Sequence, residues 1–81
     1  MPRDYRVYLE DILEAIGKIR RYTANLSLRT LSADVKTLDA VVRNLEVVGE
    51  AIKKVPDHIR SRHPAVDWKK IAGLRDILIH D

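Results

Sequence analysis

Arg75 and His80 stand five positions apart in Leu74-Arg75-Asp76-Ile77-Leu78-Ile79-His80-Asp81, and no other residues of this chain are as well suited to chemistry. Facing one cleft, the arginine supplies a fixed positive group for a phosphate and the histidine an imidazole that moves a proton. Phosphodiester cleavage without a metal needs both. The apolar residues between them predict a helix. On a 3.6-residue helix, five positions amount to about 140° of rotation and about 7.5 Å of rise, so the two side chains do not stack, although arginine's long fork can swing toward the histidine's sector. They make half a site. Asp76, one turn before His80, is spaced to accept the imidazole's hydrogen bond and fix its tautomer; its alternative is a surface ion pair with Arg75 or Lys69. Taken alone, His80 reads more readily as a structural or exposed histidine, and only Arg75 and the basic surroundings favour a catalytic one.

The elements that must hold this pair are helical throughout. From Tyr5 to about Tyr22 the apolar positions are Tyr5, Val7, Tyr8, Leu9, Ile12, Leu13, Ile16, Ile19 and Tyr22, a three-and-four spacing that predicts one amphipathic helix with Asp4 as its cap. Leu26 to Leu31 reads as a turn or two of irregular helix, because Ser27, Thr30 and Ser32 compete for the backbone. A second long helix starts at Ser32 or Asp34 and runs to Val55, where Pro56 stops it; its stripe is Val35, Leu38, Val41, Val42, Leu45, Val48, Ile52 and Val55. Gly49 inside it suggests close approach of another helix or a ligand, or simply a tolerated imperfection. Pro56 to Arg62 reads as a short helix, and Asp67 caps a final long one that begins at Trp68 and is still running at Asp81. Its apolar side takes Trp68, Ile71, Leu74, Leu78 and one of Ile77 and Ile79. No alternation of strand type appears. The expected fold is all-α, with three long helices and one short one.

Eighty-one residues make a single domain spanning 1–81, small enough to need extra cover, and the unfinished last helix suggests that the domain is incomplete at its C-terminus. With no cysteine and no zinc spacing among His58, His63 and His80, neither metal nor cofactor is expected. No apolar run approaches a signal-peptide core or a membrane span, so a soluble cytoplasmic protein is the expectation. The net charge of +3 is uneven: residues 1–50 hold eight basic and eight acidic side chains, whereas residues 51–81 hold seven basic and four acidic ones. A positive field around Arg75 would attract a polyanion, and an ordinary solvated helical surface is an equal reading of the same residues.

Leu74 to Asp81 resembles the R-x4-6-H motif of HEPN domains, and its setting resembles the HepT-like branch. Tyr8-Leu9-Glu10-Asp11-Ile12, Arg43-Asn44-Leu45-Glu46-Val47-Val48-Gly49-Glu50-Ala51 and Pro64-Ala65-Val66-Asp67-Trp68-Lys69-Lys70-Ile71-Ala72-Gly73-Leu74-Arg75 carry the likeness across nearly the whole chain. The resemblance implies a homodimeric, antiparallel helical bundle with two motifs facing each other across a cleft. It implies a metal-independent endoribonuclease, the toxin of a pair whose antitoxin is an MntA-like nucleotidyltransferase. Arg75 would then hold the scissile phosphate and His80 assist proton transfer, with Asp76, Asn44 and Glu50 in support and Arg43, Lys69 and Lys70 as RNA contacts. HepT-type motifs commonly continue His-x-Tyr; here Asp81 is the x position and no tyrosine follows.

Asn44 and Glu50 also have plainer readings. Asn44 sits near the apolar side of its helix, where structural satisfaction of its amide comes first; Glu46 and Glu50 share a face that reads as solvated surface. The alternative to a nuclease is a non-catalytic helical adaptor that docks a nucleotidyltransferase. A DNA-binding regulator is weaker, because no two-helix recognition unit is visible.

Overall fold

The computed structural model describes residues 4–80, with side chains from Asp4 to Ile77. Asp4 begins helix α1 (Tyr5–Thr23) by accepting the backbone N–H of Arg6 at 2.9 Å. The Arg6 guanidinium also donates to that carboxylate, and together these hydrogen bonds hold the Asp4 carboxyl at about 2. Ser27 and Thr30 cap each other reciprocally at the start of α2 (Leu28–Ala33), so the hydroxyls expected to disturb this turn instead organise it as a regular helix. Asp34 opens α3 (Val35–Lys54), accepting from the backbone N–H and then the hydroxyl of Thr37, which hold its carboxyl below the usual carboxylate range. Pro56 ends that helix and precedes the single turn α4 (Asp57–Arg60).

The expectation of three long helices fails in the last segment. Two helices are long, at 19 and 20 residues, whereas the stretch after Asp67 divides into α5 (Trp68–Ala72) and α6 (Leu74–His80). Gly73 is the reason. Glycine resists the helix interior more than any residue but proline, and here its backbone relaxes to φ −92°, ψ 0° while its N–H is shared between the carbonyls of Lys69 and Lys70. The all-α class stands, with no strand among the described residues.

Helix α1 packs antiparallel along α3. Near one end Ile12 and Ala15 meet Val48, Ala51, Ile52 and Val55, with Trp68 and Ile71 of α5 against the same cluster. Near the other end Ile19 and Leu31 meet Val41 and Leu45, and Leu74 of α6 packs there. Val48 and Val55 are the most enclosed side chains, each 1% exposed. Trp68 also donates its indole N–H to the Arg60 carbonyl at 3.2 Å, tying α5 to the turn of α4.

Close approach at Gly49 is real. A Cβ built there would lie 3.4 Å from the Ala72 carbonyl oxygen, the last residue of α5. Alanine fits at the edge of contact, but a longer side chain must push α5 outward. Gly49→Leu is expected to lose about 1–3 kcal/mol to overpacking and to shift the emission of Trp68, the sole tryptophan, toward the red. Unchanged fluorescence and denaturation midpoint would show that α5 does not rest on this position.

Candidate functional site

Leu74 sets the site. Because its side chain packs into the cluster of Leu31, Val41 and Leu45, the next residue of α6 lies beside the next residue of α3. Arg75 donates from Nε to Glu46 Oε1 at 2.8 Å, a contact between residues 29 positions apart. The other carboxylate oxygen of Glu46 is 3.6 Å from Nη1 of Arg43, one turn earlier on the same helix. Arg75 Nη1 also reaches Asp76 Oδ1 at 3.4 Å, the limit of a hydrogen bond. The side chains of Arg75 and Glu46 are 40% and 37% exposed, so the pair is held but open to a ligand.

These residues border an open groove of about 630 Å³, with α1 contributing Tyr8 and Asp11, α3 contributing Arg43, Glu46, Gly49, Glu50, Lys53 and Lys54 among others, and Ala72, Arg75 and Asp76 closing the third side. Gly49 and Ala72 line it at their point of closest approach. Lys54 lies 5.8 Å from the centre of the Tyr8 ring, a cation–π contact. Lys53 pairs with Glu50 at 3.2 Å. The lining carries four cations, Arg43, Lys53, Lys54 and Arg75, against four acids, Asp11, Glu46, Glu50 and Asp76. The expected positive field is therefore not a property of this groove. Phosphate recognition here would depend on a directed hydrogen-bonding group and not on bulk charge.

The expected site residues divide accordingly. Arg75, Asp76, Arg43 and Glu50 come to one groove. Asn44 does not line it; its Nδ2 donates to the Ala40 carbonyl of its own helix at 2.8 Å, in keeping with the structural reading. Lys69 borders a separate depression with Trp68 and Asp57, and Lys70 is exposed away from the groove. His80 is the last residue of α6 and shares that helix with Arg75, while its side chain and Asp81 lie outside the described residues, as does any bond from His80 to Asp76. No group of three or more histidine, cysteine or carboxylate residues is arranged to hold a metal ion among the described residues. No helix there is long and apolar enough to cross a membrane.

Sequence reasoning placed Glu46 on a solvated face and gave it no part in the site. It pairs in sequence with Glu50 as an acidic face, and nothing local indicates that one of the two meets an arginine from another helix. The only available signal is its place one residue after core Leu45, matched by Arg75 one residue after core Leu74.

Residues 12–81 match the protein family described as "Ribonuclease HepT-like". The chain is 42% identical over 80 residues to a Thermococcus cleftensis protein named "Probable ribonuclease HepT", covering 99% of this chain and 73% of that one. It is 44% identical over 78 residues to a Methanocaldococcus jannaschii protein named as a "Putative RNase", covering 96% of this chain and 64% of its relative. A Caldanaerobacter subterraneus protein named in the same way is 41% identical over 76 residues, 94% of this chain and 68% of the other. No solved structure gives a significant match.

Proposed function

Because this chain belongs to the ribonuclease HepT-like family, we propose that it is the helical domain of a metal-independent endoribonuclease in which Arg75 and His80 act on one RNA phosphate. The observation that carries the reading is the Arg75 guanidinium, fixed by Glu46 at a groove and borne on the same short helix as His80. RNA brings its own nucleophile. The 2′-oxygen attacks phosphorus, the P–O5′ bond breaks, and a 2′,3′-cyclic phosphate forms; the imidazole moves the proton between the hydroxyl and the leaving oxygen while arginine neutralises the phosphorane charge. One copy of the motif offers a single arginine and a single imidazole. A second copy facing the first across the cleft would supply a second pair and complete the acid and the base.

A homodimer also suits the surface, where Leu13 and Ile77 are 71% and 56% exposed in a chain too small to enclose them. By the same family resemblance the protein is the toxin of a toxin–antitoxin pair, held in check by a small MntA-like nucleotidyltransferase in the cytoplasm. One observation favours the second reading, an inert adaptor that docks the nucleotidyltransferase: the balanced charge of the groove is poor at attracting RNA.

The two readings part on one assay. Incubated with short RNAs in EDTA, the protein is expected to cut at the rate seen without chelator and to leave 2′,3′-cyclic phosphate ends, read by mass spectrometry. A strict requirement for a divalent ion, or 3′-hydroxyl ends, would remove the arginine–histidine mechanism; no cutting at all, with the partner bound, would leave the adaptor.

A further inference from the structure

We infer that Glu46 is a positioning residue for Arg75, fixing which edge of the guanidinium meets the substrate phosphate. The inference rests on the ribonuclease reading and adds to it a residue from a different helix. An arginine fork offers two edges for bidentate contact, one formed by Nε and Nη2 and the other by Nη1 and Nη2. Glu46 Oε1 takes the Nε–H at 2.8 Å. That removes the side edge and leaves the terminal edge for a phosphate: Nη2 has no partner among the described residues, and Nη1 has only the marginal contact with Asp76 at 3.4 Å.

Glu46 is itself held. Arg43 stands 3.6 Å from its Oε2, so the carboxylate is braced from one side while it aligns Arg75 from the other. Stabilising the fold is a poor explanation for the arrangement, since a pair this exposed contributes little once solvent screens it. A carboxylate near a phosphate also repels it. For RNA binding alone Glu46 is unfavourable; for an oriented guanidinium it is favourable, because orientation acts on the transition state more than on the bound substrate.

The signature is therefore a split between kcat and KM. Glu46→Gln retains the shape but weakens the grip on Nε and removes the negative charge, so kcat is expected to fall about 10-fold or more while KM for a short RNA stays level or drops. In an Arg75→Ala background the same change should have no further effect on kcat. A readout independent of activity is the Arg75 Nε–H signal in nitrogen-15 NMR of the protein, expected to be resolved and slow to exchange in the parent and broadened in Glu46→Gln, with the denaturation midpoint unchanged in both. Glu46→Asp, which keeps the charge on a shorter arm, serves as a second variant and should restore part of the protection. Parent-like kcat in Glu46→Gln, or an unaltered Nε–H signal, overturns the positioning role. A parent that cuts no RNA yet shows a Glu46-dependent Nε–H signal overturns the ribonuclease reading and keeps the clamp.

Discussion

Arg75→Ala is expected to slow RNA cleavage by about 10²- to 10³-fold, the usual loss when one donor to a developing oxyanion is removed, and His80→Ala by about 10²- to 10⁴-fold through loss of proton transfer. The Arg75 side chain is not part of the two apolar clusters formed by the described residues, so the helical signal and denaturation midpoint of that variant should stay close to those of the parent. Arg75→Lys should rescue little, because an ammonium has no planar edge to share between Glu46 and a phosphate. A substrate carrying a 2′-deoxyribose at the cleaved position lacks the nucleophile and should survive intact. The two defects should not multiply if the groups act in one step, so the double variant is expected to resemble the worse single one. Cleavage at the parent rate by either alanine variant would dispose of the assignment.

Ile52→Ala carries the largest expected cost to folding. Ile52 is 3% exposed and sits in the cluster where α1, α3 and α5 converge, so truncation removes transfer free energy and leaves a cavity that two long helices cannot easily close. The expected loss is about 2–5 kcal/mol. Domains of this size have total stabilities of roughly 4–12 kcal/mol, so the variant should show a markedly lower urea midpoint, read by far-ultraviolet circular dichroism. Leu13→Ala is the control, because Leu13 is 71% exposed and should change stability by no more than about 0.5 kcal/mol. Equal losses from the two would mean that a partner copy covers Leu13 as firmly as α3 covers Ile52.

That contrast marks where periodicity stops being informative. Leu13 and Val35 belong to the apolar stripes of α1 and α3, yet both are largely exposed, since two long helices flanked by short ones cannot cover every turn of a broad stripe. Capping was more legible. Asp4, Asp34 and Asp67 each accept a backbone N–H near the start of the helix they precede, because a cap is decided within four residues of chain. The break at Gly73 is only half legible: a glycine's cost is local, but whether the helix yields to it depends on how Trp68 and Leu74 dock to either side. The meeting of Arg75 with Glu46 depends wholly on such docking. Types and spacing single out Arg75 and His80 as candidates, whereas the bond from Arg75 to Glu46 was not legible, because its acceptor comes from another helix 29 residues away.

The interruption at Gly73 has a mechanical outcome. Arg75 and His80 share a seven-residue cassette, α6, joined to α5 by one glycine and pinned by Leu74 from below and Glu46 from the side. Tilting the cassette would swing both backbone positions as one, preserving their mutual spacing while altering where they present themselves. Changes in the α5 seat or at Glu46 thus retune reach and aim, and leave the reagents themselves untouched.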